Sequence, residues 1–251
     1  MSSASQVAIL IAAGVAAGLV GSAGGITSLV SFPALLAVGV PALDAAVTNN
    51  VALVACWPGS ALASGEELRG RVRWLCRWCV VAAASGALGA GLLFSTPPGL
   101  FARIAPWLVL GATLVLLVEP RLTAWRERRG ARQAPWTLLT VLTVVSVYNG
   151  YFGAGAGVMT LTLMLVLVDG SLPTANALKN MLIGAASVSS AVVLALSTPV
   201  TWSHVAPLAA GMLVGSNLGP RVARRVPAWA LRLLIVALGL ALAAELWAST
   251  T

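Results

Sequence analysis

The chain has 251 residues, of which 59% are hydrophobic and only 9% charged, whereas a soluble domain carries roughly 25% charged residues. With a mean hydropathy of +0.95, that composition excludes a sizeable soluble domain. The net charge of +8 does not point to nucleic acid either: fourteen of the fifteen basic residues are arginine, and they cluster between apolar segments as they do in cytoplasmic loops of membrane proteins.

Apolar segments fall at 6–39, 42–63, 74–95, 101–118, 136–168, 174–197, 203–219 and 228–248. Runs of about twenty apolar residues are long enough to span a bilayer as helices. They are continuously apolar rather than alternating, which argues against a β-barrel. The expected fold class is an all-α polytopic membrane protein. The N-terminal "MSSASQVAIL" has no basic n-region and no clear A-x-A site, so it is expected to belong to the mature protein.

The first segment carries the glycine cluster "GLVGSAGGI" (18–26), and the fifth carries "GYFGAGAGV" (150–158), 132 residues later. Both segments are too long for one ordinary crossing. Split at their glycines, each gives limbs of about fifteen residues, or roughly 22 Å of helix. The same offset takes "VPALDAAVTN" (40–49) onto "LPTANALKNM" (172–181), and an offset of 129 takes Pro98-x-x-x-x-Arg103 onto Pro227-x-x-x-x-Arg232. The chain therefore reads as an internal duplication. Residues 1–118 form the first membrane repeat, 119–135 a basic cytoplasmic linker, and 136–251 the second repeat.

Arginine placement tests the topology. Rich clusters occupy 64–77 (Arg69, Arg71, Arg73, Arg77), 119–135 (Arg121, Arg126, Arg128, Arg129, Arg132) and 220–227 (Arg221, Arg224, Arg225). The positive-inside rule puts all three in the cytoplasm. They share a side only if 136–168 crosses an even number of times, as a helical hairpin does. Each repeat is then a broken helix or hairpin followed by three transmembrane helices, with the second repeat inverted and both termini outside.

Broken backbone inside a membrane is tolerated where it is buried in protein or lines a wet cavity. Helix N-termini there suit a small anion. Gly24 and Gly25, with Gly155 and Gly157 in the second cluster, are candidate backbone donors. Small residues also serve close helix packing, but their duplication in two over-long segments favours a site. Further polar groups follow each hairpin: Thr48, Asn49 and Asn50 in one repeat, and Asn176, Lys179 and Asn180 in the other. Lys179 is the only lysine in the chain, set within "NALKNMLIGAA". A buried charge in a membrane usually faces a cavity or partner; snorkelling to the interface is the alternative. Asn149 is expected to cap a half-helix, with contact to the ligand as the alternative. Asp44 and Asp169 fall at element ends, and His204 begins a helix. Trp74, Trp107, Trp136, Trp202 and Trp229 read as an interfacial belt.

Cys76 and Cys79 match C-x-x-C, but with no second pair and one distant histidine they read as packing residues, not a metal site. No hydrolytic or phosphate-cradling motif occurs. Neither a catalytic residue, a cofactor nor a metal is expected, which leaves a secondary carrier or a channel.

The stretch "GLVGSAGGITSLVSFPALLAVGVPALDAAVTNN", the arginine-rich loop and "GALGAGLL" behind it, and the second-half run from "ANALKNMLIGAASVSS" to "LRLLIVALG" together resemble the sulfite exporter TauE/SafE family. The first cluster, GSAGG, departs from the longer glycine run of many members. The resemblance implies a secondary transporter of small anions in the inner membrane, exporting sulfite or organosulfonates such as sulfoacetate and driven by a proton or sodium gradient. Import of a small carboxylate on the same scaffold is the alternative within that class. A membrane thiol enzyme or assembly factor using Cys76 and Cys79 is the alternative outside it.

Overall fold

In the computed structural model, which describes residues 3–127 and 135–223, every regular element is a helix. The order is α1 (Ser3–Gly24), α2 (Ser28–Ala37), α3 (Ala42–Ala52), α4 (Cys56–Ala63), α5 (Val72–Phe94), α6 (Pro98–Glu127), α7 (Pro135–Tyr151), α8 (Ala156–Leu167), α9 (Leu172–Ser197) and α10 (Trp202–Ala223). Ala4–Gly24, Val72–Phe94 and Leu172–Ser197 are each long and apolar enough to cross a membrane. The eighth apolar segment (228–248), Pro227, Arg232, Trp229, Arg128, Arg129, Arg132, Arg224 and Arg225 lie outside the described residues.

Helix starts follow proline chemistry. Pro41 precedes α3, Pro98 and Pro135 open α6 and α7, and Pro173 stands in the first turn of α9. At these positions the missing N–H would have no intrahelical partner anyway. Pro58 acts differently. Its ring meets the carbonyl four residues back, at Val54, and it donates no hydrogen bond. The 42–63 segment accordingly breaks into α3, a 3₁₀ turn at Leu53–Ala55 and α4, where the apolar pattern alone suggests one helix.

Both over-long segments are broken at their glycines. Gly25 (φ 80°) ends the first limb, and Gly155 (φ 75°) leads into α8; an L side chain is strained at such angles. The limbs are unequal, which corrects the even division expected from the sequence. α1 has 22 residues and α2 only 10; α7 has 17 and α8 has 12. At ~1.5 Å per residue α1 spans about 33 Å, a full hydrocarbon thickness, and α2 about half of one. Gly25 sits past the middle of the pair because the helical run continues unbroken from Ser3 to Gly24.

The chain returns on itself at each break. The Gln6 side chain near the start of α1 donates to Val38 O just past the end of α2, at 3.4 Å. In the second pair, Leu138 and Leu142 of α7 share a core with Leu163 and Met164 near the end of α8. An ion pair between Arg71 and Asp169 ties the loop before α5 to the loop after α8, so those two loops lie at the same end of the bundle.

Small residues set the closest helix crossings. α1 packs most extensively on α10, and α5 on α9 and α7. A Cβ added at Gly14 or Gly18 would lie 2.3–2.4 Å from the α10 carbonyls of Leu208 and Met212, and one at Gly86 or Gly150 would lie 2.4 or 2.0 Å from backbone of the facing helix. Part of the glycine content is therefore packing, as in small-xxx-small interfaces. The main core gathers where the two broken pairs meet. Phe32 of α2 stacks edge-on with Phe152 at 5.1 Å, and Phe101 of α6 adjoins both Phe152 and Tyr151.

The outside of the bundle is apolar. Leu62, Val72, Val80, Leu88, Val144 and Leu196 are all more than half exposed, a distribution that belongs in lipid rather than water. Trp107, Trp136 and Trp202 are exposed as an interfacial belt requires, whereas Trp74 is half-buried against Trp78. The chain is a multi-pass membrane protein.

Candidate functional site

The two breaks touch. A Cβ at Gly25 would lie 2.3 Å from the Gly157 carbonyl carbon, and one at Gly157 would lie 2.4 Å from Gly25 Cα. Only two glycines let the backbones approach this closely. Beside that contact is a cavity of about 40 Å³, framed by the break after α1, the starts of α2 and α8, the end of α7, and the α4 and α9 helices. It holds more than one water-sized sphere, since a single water needs about 10–15 Å³.

Its polar lining comes from Ser22, Thr27, Ser28, Ser60, Asn149, Lys179, Asn180 and Ser187, and no carboxylate lines it among the described residues. Lys179 is only 1% exposed, so it does not snorkel to an interface. Its ammonium donates to Gly21 O at 3.1 Å and Ser22 O at 3.4 Å. Those carbonyls lie in the last turn of α1, at the negative end of its dipole, and Gly21 O also accepts from the Gly25 N–H at 2.6 Å. An ammonium has three N–H groups, so one remains beyond those two carbonyls.

Two amides share this duty. Asn176 Nδ2 donates to Ser22 O at 3.0 Å and Asn180 Nδ2 to the same oxygen at 3.3 Å. Three donors thus converge on one carbonyl, whose two lone pairs cannot satisfy all of them well. The local surplus is of N–H groups.

The sequence candidates divide by position. Lys179, Asn180, Gly25 and Gly157 line the cavity, and Asn176 adjoins it through Ser22. Asn49 sits one layer back: it donates to Ser28 Oγ at 2.9 Å and accepts from Ser31 Oγ at 2.5 Å, fixing α2 to α3. Asn50 donates to Gly150 O at 3.2 Å, at the end of α7, while its buried Oδ1 has no partner. Thr48, Gly24 and Gly155 do not line the cavity. The Gly25 N–H is already bonded to Gly21 O at 2.6 Å, so Gly25 contributes the absence of a side chain rather than a free donor.

Asn149 is no helix cap. It donates to Ser187 Oγ at 3.2 Å, joining α7 to α9 on the cavity wall. Asp44 is exposed in the first turn of α3, Asp169 pairs with Arg71, and His204 begins α10; none of them lines the cavity. Cys79 Sγ lies 3.8 Å from Met181 O and Cys76 is exposed; neither lines the cavity, and no metal-holding group of His, Cys, Asp or Glu occurs among the described residues.

Sequence reading missed the serines at 22, 28, 60 and 187, Thr27, and the wall formed by Cys56 and Trp57. The Trp57 ring lies directly over Gly184, where a Cβ would fall 2.2 Å from Cδ1. A serine-rich run at 187–190 and the Pro-Gly within "CWPGS" were the available signals.

A family model described as "Sulfite exporter TauE/SafE" matches residues 8–246. A "Probable membrane transporter protein" of Haemophilus influenzae is 27% identical over 221 residues, covering 86% of this chain and 84% of that protein. "Probable membrane transporter protein ORF9" of a Sinorhizobium species is 24% identical over 245 residues, covering 97% and 93%. "Probable membrane transporter protein YfcA" of Escherichia coli K12 is 27% identical over 212 residues, covering 82% and 76%. No solved structure matches the chain.

Proposed function

This chain belongs to the sulfite exporter TauE/SafE family, and from that premise we propose that it is a secondary-active carrier exporting a small oxyanion across the inner membrane. The observation that carries this reading is the cavity lining: one buried ammonium, several amide and hydroxyl donors, and no carboxylate. Lys179 supplies the counter-charge. Asn180 and Asn149 offer N–H groups to oxygen, and the first turns of α2 and α8 add backbone N–H groups and the positive ends of two dipoles. Asn176 and Asn50 hold the ends of α1 and α7 beside the ligand.

The volume favours a compact ion. A cavity of about 40 Å³ suits sulfite better than a tailed sulfonate such as sulfoacetate. In this reading the repeats are inverted, the linker is cytoplasmic and both termini face outward. The Arg71–Asp169 pair supports that arrangement, because a hairpin from the cytoplasm returns Asp169 to the arginine-rich loop. Alternating access is then a rocking of one repeat against the other about the contact of Gly25 with Gly157.

Equilibrium binding of sulfite, sulfoacetate and a short carboxylate to purified protein tests the reading. Saturable sulfite binding, weakened at least about tenfold in Lys179→Ala (about 1.4 kcal/mol), is expected. A preference for the carboxylate would redirect the reading to the importer alternative. Absence of binding by any anion would overturn it.

A further inference from the structure

Lys179 is the one cation in the cavity lining, and no carboxylate faces it there among the described residues. Lys179 and Cys56 are the only titratable groups of that lining among the described residues. Tyr148, beside Asn149 on α7, keeps its hydroxyl on Ala154 O at 2.7 Å. The ammonium therefore neutralises an ion of charge −1. A dianion leaves one negative charge uncompensated inside a membrane, where an unpaired ion is costly. The N-terminal dipoles of α2 and α8 supply only partial positive charge, and the C-terminal end of α1 opposes them.

The lining does not consist of donors alone. Ser60 keeps its hydroxyl hydrogen on its own helix, at Cys56 O (2.8 Å) or Trp57 O (3.0 Å), the back-bonding habit of helical serine. It is buried and lines the cavity, so what it offers a ligand is lone pairs. A fully ionised oxyanion has only acceptor oxygens and cannot use such a group. An ion that retains one O–H can donate to it.

We propose that the cavity takes its oxyanion singly protonated, as hydrogen sulfite rather than sulfite, with the ligand's O–H on Ser60 Oγ and its ionised oxygens on the Lys179 ammonium and the Asn149 and Ser187 donors. The proposal rests on the carrier reading and narrows it. The proton then crosses on the ligand itself, and no carboxylate in the cavity is required to carry it.

The test is calorimetric titration of the full-length protein in detergent with sulfite, chlorate and sulfate. Each is measured at about pH 6 and about pH 8, between which sulfite gives up its remaining acid proton. Chlorate has the pyramidal shape of sulfite but is a monoanion without an O–H at both values, and sulfate is a dianion at both. Sulfite affinity is expected to fall at least about fivefold at the higher pH, while chlorate changes by less than about twofold. Sulfate is expected to bind at least about tenfold more weakly than chlorate. Ser60→Ala is expected to weaken sulfite at the lower pH at least about threefold and to leave chlorate within about twofold.

Sulfite binding that is unchanged or tighter at the higher pH overturns the proposal, as does sulfate binding as tightly as chlorate. An equal fall of sulfite and chlorate with pH also overturns it, because the titrating group is then on the protein. Equal losses for both ions in Ser60→Ala reduce that serine to a structural role and count against it. Each of these outcomes leaves anion binding, and with it the carrier reading, in place. Absence of binding by all three ions overturns both.

Discussion

The two breaks are built alike and finished differently. At the end of α1, the carbonyls of Gly21 and Ser22 are met by an ammonium and two amides from α9, and Gly21 O also by the Gly25 N–H. At the end of α7, Gly150 O is met by the Asn50 amide and the Ser190 hydroxyl, and Ala154 O by the Tyr148 phenol. The offset of 132 residues takes Lys179 onto Val47, a buried apolar residue of α3. Neutral donors are therefore enough to satisfy a helix end at this depth. A charge on one side only is more than the backbone needs, and it gives the cavity a sign.

The largest effect expected from disturbing this asymmetry is at Lys179. Lys179→Ala removes the one cation that lines the cavity among the described residues, while Gly21 O keeps the Gly25 N–H and Ser22 O keeps two amide donors. Proteoliposome flux should fall at least about tenfold, and Lys179→Arg should retain much more of it. Next come the glycines at the contact. Gly25→Ala and Gly157→Ala force a Cβ against backbone at 2.3 and 2.4 Å, a destabilisation of about 1–3 kcal/mol that should appear as a lower unfolding midpoint. Equal losses would show that both breaks depend on the same contact.

Asn50→Leu removes one of the neutral donors of the second break. It should cost about 1 kcal/mol and leave anion affinity within about twofold, whereas a loss as large as that of Lys179→Ala would erase the distinction between the two ends. Arg71→Ala breaks a partly exposed pair; its cost should be about 0.5 kcal/mol, read from the same unfolding midpoint. The smallest effect is expected of Cys76→Ser with Cys79→Ser, which should leave flux unchanged. Lost activity there would favour the thiol enzyme over the carrier.

Much of this contrast is visible in the sequence, for identifiable reasons. Gly25 and Gly155 mark the breaks because the three-in-five glycine cluster is duplicated in two over-long segments, which helix packing alone does not require. Lys179 stood out because a lone lysine in an apolar run needs a partner. The identity of that partner was not legible: a periodic pattern says which face of α9 is buried, not that the end of α1, more than 150 residues earlier, lies against it. For the same reason Asn49 and Asn180 looked equivalent, although one fastens α2 and the other lines the cavity. The uneven limbs are not legible in the glycine positions, which mark a break but not where each helix begins or ends. The 3₁₀ turn at Leu53–Ala55 was readable from Pro58, whose effect falls four residues upstream of itself.

Calorimetric titration of sulfite into wild-type and Lys179→Ala protein, both first shown to be folded by their unfolding transitions, tests the central claim most directly. The account predicts saturable binding to wild type and affinity reduced at least about tenfold in the variant. Equal affinity in the two proteins would contradict it, leaving Lys179 as a cap on α1 and nothing more.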